Sequence, residues 1–177
     1  MVENGHVKIY IISEEQGVTK AEMTVKLVGF DGKVFVDQVL NVNIPGNSSA
    51  IYLDTLQSAL LSGLDPKEML LLATVKGGGF KECQVKNILY FVPPKDLNLP
   101  VPVIEKRIIE TPGGYTIRLS CDKLAKNLWL STRIEGDFSD NYFDLLPGEP
   151  VEIQFTTSKR NSKMADLIVV KSLIDTY

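Results

Sequence analysis

The chain has 177 residues, 44% of them apolar and 23% charged, with a formal charge of −3. That is the composition of a globular protein rather than a disordered one, with length for one large domain or two small ones. There is no basic field to hold nucleic acid or anionic lipid. No apolar run approaches the roughly 20 residues that span a bilayer, and Met1 to His6 lacks the charged-then-apolar pattern of an export signal. Cys83 and Cys121 fall in different halves, which disfavours a disulfide within one domain, and two cysteines are too few for a thiolate zinc site. Both read as small buried apolar residues. The single histidine, His6, lies at a start expected to fray, and one histidine supplies neither a metal cluster nor a catalytic triad.

In the first half, Val7, Ile9 and Ile11 alternate with Lys8 and Tyr10, the period of a half-buried strand, which Glu14-Glu15-Gln16-Gly17 breaks. Ala21, Met23, Val25 and Leu27 repeat the alternation. Phe30-Asp31-Gly32-Lys33 follows, then Val34, Val36, Leu40, Val42 and Ile44 on one parity. Asp-Gly between two such runs predicts a two-residue type I′ hairpin. That turn pairs Ala21 with Val42, Met23 with Leu40, Val25 with Gln38 and Leu27 with Val36, so one face is almost wholly apolar.

Pro45-Gly46-Asn47-Ser48 reads as a turn and Ser49 to Leu53 as a short strand. Asp54 or Thr55 is placed to cap one helical turn through Ala59-Leu60-Leu61, stopped by Ser62-Gly63. Met69 to Lys76 is a nearly continuous apolar strand, expected to be central. Gly77-Gly78-Gly79 lacks the Gly-Lys-Ser/Thr ending of a phosphate loop and reads as a hairpin tip, with Gln84 to Val92 the return strand. Short strands and turns at this spacing predict an immunoglobulin-like β-sandwich over 1–92.

Residues 93–102 hold four of the nine prolines. Proline removes ladder donors and extends the chain, so this segment reads as a stiff linker and a domain boundary. Residues 103–177 repeat the β pattern. Val103 to Glu110 is a strand, then Thr111 to Gly114 a turn. Tyr115, Ile117, Leu119 and Cys121 alternate with polar residues, and Leu128, Leu130, Thr132 and Ile134 share a face opposite Trp129. Phe138 to Pro150 reads as a loop, a short apolar strand and a Pro147-Gly148 type II turn, leading into the alternating strand Val151 to Thr157. Phe138, Tyr142 and Phe143 are expected to bury their rings around this bend. Ser158 to Lys163 is a polar tip and Ala165 to Leu173 the closing strand. The fold class is therefore all-β, two immunoglobulin-like sandwiches in tandem.

The acidic residues do not compose an active site. Asp137, Asp140 and Asp144 are the densest group, but they lack the Asp-x-Asp-x-Asp-Gly spacing of a Ca²⁺ loop and read as residues bonding their own backbone. Trp129 reads either as a sandwich tryptophan packed at the core or as an exposed platform for a sugar ring.

Three stretches carry a resemblance: Tyr90 to Leu99 (YFVPPKDLNL), Phe138 to Pro150 (FSDNYFDLLPGEP), and the ending Ser172-Leu173-Ile174-Asp175-Thr176-Tyr177. They resemble the C-terminal region of family 2 β-mannosidases, glycoside hydrolases that remove terminal β-linked mannose. The resemblance implies two immunoglobulin-like domains following a catalytic (β/α)8 barrel. Met1 is then expected to be a cloning start, and a bacterial parent to be periplasmic or secreted. Family 2 catalytic carboxyls stand on barrel strands, and a barrel needs about 250 residues with alternating helices, so no catalytic residue carries over. No cofactor or metal is expected. The leading expectation is a packing module whose partners are the barrel and N-terminal domains of the same chain. The second is a carbohydrate-binding module contacting mannosides through Trp129, Tyr142 and Tyr115. The third is an independent adhesion or scaffold protein.

Overall fold

The computed structural model describes residues 1–77 and 80–176, with the backbone alone over 80–84. The chain divides into two compact units, one of Met1–Gly29 with Lys33–Asn98, the other of Phe30–Gly32 with Leu99 onward.

In the first unit the strands are β1 (Val2–Glu3), β2 (His6–Ser13), β3 (Thr19–Gly29), β4 (Val34–Ile44), β5 (Ser48–Leu56), β6 (Met69–Gly77) and β7 (Phe80–Tyr90), with a short helix α1 (Gln57–Leu61) after β5. They form a three-stranded sheet β1-β2-β5 and a four-stranded sheet β4-β3-β6-β7. Val7 from the smaller sheet packs with Met23, Val25, Leu27 and Leu71 from the larger one, and Ile9, Ile11 and Leu53 close on this core. Each such side chain, once fully buried, contributes roughly 1.5–3 kcal/mol. Met69 to Leu72 are all buried, as their unbroken apolar run requires of a central strand.

The β3–β4 register is the one the turn and pattern demanded: Ala21 faces Val42, Met23 Leu40, Val25 Gln38 and Leu27 Val36. The turn itself differs. Among Phe30, Asp31 and Gly32 only Gly32 has positive φ, +85°, and the Gly29 N–H donates to the Lys33 carbonyl at 2.9 Å. A type I′ turn needs positive φ at both central residues, so this is a three-residue loop with glycine in the left-handed position. A bulge between Leu27 and Val28 then absorbs the extra residue.

Two further expectations are corrected in this unit. His6 does not fray. Asn4 (φ 50°) and Gly5 (φ 79°) make a two-residue hairpin that pairs Glu3 with His6, and His6 in turn pairs with Leu56. Asp54 and Thr55 do not cap α1 either. They lie in β5, where the Asp54 carboxylate meets the His6 imidazole at 2.6 Å, and α1 starts after Leu56 with no side-chain cap. Its C-terminal end is as expected, with Ser62 and Gly63 both at positive φ. Gly78 and Gly79 of the expected glycine tip lie outside the described residues.

A 3-10 turn spans Pro94–Asp96. The second unit then runs β8 (Ile104–Thr111), β9 (Gly114–Cys121), β10 (Ala125–Ser131), β11 (Asp137–Phe138), β12 (Phe143–Leu145), β13 (Val151–Thr156), helix α2 (Met164–Leu167), β14 (Val169–Lys171), and a final 3-10 turn Leu173–Thr176. Its sheets are β11-β13-β9-β8 and β12-β10-β14. Ile117, Leu119, Ile153 and Phe155 of the first meet Leu128, Leu130 and Leu145 of the second in one core. The Pro147-Gly148 bend is a type II turn: Gly148 has φ +77° and the Glu149 N–H donates to the Leu146 carbonyl at 3.2 Å. Phe138 stacks 4.7 Å from Phe155 and Phe143 packs on the core.

Tyr142, by contrast, is 70% exposed and does not bury its ring at this bend. The expected closing strand over Ala165–Leu173 is also corrected, since only β14 is strand. Met164 and Ile168, four residues apart, both point into the core, a spacing that suits a helical turn. The Lys106 ammonium donates to the carbonyls of Ala165 (2.8 Å) and Ile168, satisfying acceptors that α2 leaves open.

Candidate functional site

The three aromatic residues singled out for sugar contact occupy three different environments. Tyr115 starts β9 as a core residue, 3% exposed. Its hydroxyl accepts the Asn161 N–H at 2.9 Å, and the Arg160 guanidinium lies 5.7 Å from the ring centroid. Arg160 also donates to the Gly114 (2.8 Å) and Pro112 (2.6 Å) carbonyls. Tyr115 therefore fastens the polar tip to the sandwich and has no face for a sugar, which corrects that expectation. An inward position on β9 is what its alternation with Ile117 and Leu119 requires.

Trp129 sits in β10 between the buried Leu128 and Leu130, and so points away from the core. It is half-buried, pairs across the sheet with Lys171, and has the lysine ammonium 5.8 Å from its ring centroid. That is within cation–π range. Tyr142 precedes β12 and adopts φ +61°, left-handed backbone that a bulky residue rarely takes.

Next to Tyr142, Asn141 of the same loop bonds the local backbone and also reaches across to β10. Its side-chain oxygen accepts the Leu130 N–H at 2.8 Å and the Tyr142 N–H at 3.2 Å, while its amide donates to the Leu130 carbonyl at 3.0 Å. One side chain thus replaces a missing rung of the β10–β12 ladder. The only signal in the sequence was an Asp-Asn pair in a loop, and the partner lies eleven residues away.

The acidic trio is dispersed. The Asp140 carboxylate accepts the Asn141 N–H at 2.8 Å, the local backbone bond expected of it. Asp144 instead accepts the Asn127 N–H at 2.8 Å and meets Lys126 at 3.3 Å, both groups being largely buried. Asp137 pairs with Thr156 in β11. Among the described residues no group of three or more His, Cys, Asp or Glu could hold a metal ion.

Cys121 is half-buried rather than buried, with its thiol 3.4 Å from the Leu145 carbonyl. Burial pushes the thiol up to about 11, so it is protonated at neutral pH. The side chain of Cys83 lies outside the described residues. In the first unit a groove of about 940 Å³ opens between β2 and strands β6 and β7, lined by Ile9, Ile11, Ala73, Val75, Asn87 and Leu89 among others. Its walls are mainly aliphatic.

Residues 5–96 match the family described as the mannosidase Ig/CBM-like domain, and residues 99–176 match an Ig-fold domain found in mannosidases. No curated protein matches the chain in sequence. In three dimensions the chain is similar to the β-D-mannosidase of Dictyoglomus thermophilum (TM-score 0.75, 19% identity), over 98% of this chain and 21% of that one. It is also similar to the exo-chitosanase CsxA of Amycolatopsis orientalis (TM-score 0.57, 13% identity), over 93% of this chain and 24% of that one. The chain thus spans about a fifth to a quarter of the length of the structures it matches.

Proposed function

The chain belongs to the mannosidase Ig/CBM-like domain family, and from that membership we propose that it forms the non-catalytic accessory domains of a larger glycosidase. The parent is a β-mannosidase cleaving terminal β-mannosyl residues, and this chain is its C-terminal, two-sandwich portion, with domains over 1–92 and 103–177 joined by the proline-rich segment. The role is structural, packing against a catalytic domain carried elsewhere in the parent. The observation that carries the reading is the tandem family match, two mannosidase-associated domains in succession covering nearly all of the chain.

The side chains give physical support. Glycoside hydrolysis needs two carboxyls flanking one bond, roughly 5 Å apart in a retaining enzyme. Asp54, Asp122, Asp144 and Asp175 are each tied to a structural partner: His6, the Val103 N–H, Lys126 with the Asn127 N–H, and Ser172.

The test is an activity assay with 4-nitrophenyl β-mannoside. The isolated chain is expected to release no nitrophenol, and the full reading frame to contain an upstream barrel domain that does. Hydrolysis by the isolated chain, abolished by changing a carboxylate within it, would overturn the proposal.

A further inference from the structure

The groove of the first unit runs along one edge of β2. Among its described lining residues are Met1 and every residue from Lys8 to Gln16, but none from β5. It therefore follows the side of β2 turned away from β5. Among the described residues β2 pairs only with β5 and, on this side, with β1. β1 covers the edge only at its start, setting Glu3 opposite His6 and Val2 opposite Val7. Its outermost bonds are at Met1, whose amine donates to the Lys8 carbonyl at 2.8 Å and whose carbonyl accepts the Lys8 N–H at 2.9 Å. Backbone groups alternate sides along an antiparallel strand, so those of Tyr10 and Ile12 face the groove as Lys8 faces Met1.

Two observations mark this edge as a place for a further strand. The first is that the core is open beside it. Val85 and Asn87 pair with Val75 and Ala73 on the same face as the core pair Leu71 and Leu89, yet both are exposed, Val85 at 54%. The second is that the edge carries no protection. Sheet edges open to solvent usually hold a charge or a proline that blocks pairing. Ile9-Tyr10-Ile11-Ile12 has neither, and Ile12 is 74% exposed.

We propose that the free edge of β2 is the docking site for the segment of the parent chain that immediately precedes Met1, which continues β1 and closes the sandwich. The proposal rests on the larger parent proposed above, and the occupant follows from the register and direction of β1. Carried backwards, the β1–β2 pairing sets the first residue before Met1 opposite Ile9 and the third opposite Ile11. Both point into the groove and are expected to be apolar. The second and fourth bond the backbones of Tyr10 and Ile12. Five residues span about 17 Å, the length of β2 from Ile9 to Ser13. A segment already joined to Met1 also meets this edge at an effective concentration of order millimolar, which a free strand or a second copy has to exceed.

The experiment compares amide hydrogen exchange by NMR in the 177-residue chain and in a chain extended to include the ten residues that precede Met1 in the parent. In the shorter chain the Tyr10 and Ile12 amides are expected to exchange freely, while Ile9 and Ile11, which face β5, are protected. In the extended chain Tyr10 and Ile12 are expected to slow by about a hundredfold or more. Aspartate in place of the first residue before Met1 is expected to abolish that gain and leave the β3 amides at Met23 and Val25 protected. Equal exchange at Tyr10 and Ile12 in both chains would overturn the proposal, as would charged residues at the first and third positions. Protection in the 177-residue chain that rises with protein concentration, together with dimers in sedimentation, would assign the edge to a second copy instead. A parent with no barrel domain upstream defeats the accessory reading and this one together. Unprotected amides in an extended chain whose parent carries the barrel defeat this one alone.

Discussion

Replacing Asn141 with alanine is expected to cost the second unit about 3 kcal/mol. The side chain makes three hydrogen bonds, to the Leu130 N–H, the Leu130 carbonyl and the Tyr142 N–H. Each has a net worth of roughly 0.5–1.5 kcal/mol, and a buried backbone group left without a partner costs about 1–3 kcal/mol more. Leu130 is only 1% exposed, so water replaces the lost amide poorly. A domain of this size is stable by about 5–15 kcal/mol, so the loss is a large fraction of the whole. Trp129 is the only tryptophan and sits next to Leu130, so urea unfolding followed by its fluorescence reads this unit directly. Asn141→Asp keeps the acceptors but points a carboxylate at the Leu130 carbonyl, and is expected to lose a comparable amount. Asp140→Ala removes one local bond at an exposed site and is expected to change stability by less than about 0.5 kcal/mol. An Asn141→Ala variant within about 0.5 kcal/mol of wild type would refute the idea that this side chain completes the ladder.

At position 142 the usual order of alanine and glycine is expected to invert. Left-handed backbone costs an L-residue about 1–2 kcal/mol and glycine forfeits about 0.5–1 kcal/mol of chain entropy, so Tyr142→Gly should be the more stable of the pair by roughly 0.5–1 kcal/mol. At Glu152, an exposed position in β13 with ordinary backbone, the same pair should favour alanine, and an equal order at both sites would contradict the account. Gly148→Ala meets no atom within 4 Å of the added methyl, so its cost should be the backbone term alone, about 1 kcal/mol by urea midpoint. A loss of several kcal/mol would point to a clash that the structure does not contain. In a Cys83→Ser background, alkylation of Cys121 by iodoacetamide should climb steadily from pH 8 towards 11, because the thiolate forms only there. The sign for stability follows: the folded thiol titrates higher than the unfolded one, so its contribution is intact below the unfolded value and fades as pH rises through about 11. A rate that levels off by pH 9 would contradict the burial of this thiol.

Where one residue pattern and one turn agreed, the sequence was enough to specify structure. The β3–β4 ladder follows from alternation at Ala21, Met23, Val25 and Leu27 facing a matching run, and a slip of one residue would have turned every apolar side chain to solvent. The turn type was not legible, because a two-residue loop and a three-residue loop with a compensating bulge give the same pairing beyond it. Asn4-Gly5 carries a hairpin-turn signal, but one strand of its hairpin is only two residues long, too short for alternation to mark it. The end of the chain misled for a different reason. Met164 and Ile168 satisfy a helical period, while the apolar run they sit in also satisfies a strand, and the Lys106 ammonium that favours the helix comes from about 60 residues away. The aromatic residues divide in the same way. The inward parity of Tyr115 could be read from β9, but Tyr142 stands outside β12 on left-handed backbone, a placement that no alternation records.

The central claim, that this chain supports a catalytic domain it does not contain, is tested most directly on the parent enzyme. Thermal unfolding and mannosidase activity would be measured for the full protein and for a truncation ending before residue 1. The account predicts that the truncated enzyme melts at a lower temperature or is recovered insoluble, with an apolar face newly exposed. A truncated enzyme that is soluble, melts with the full protein and keeps its full kcat/KM would contradict it.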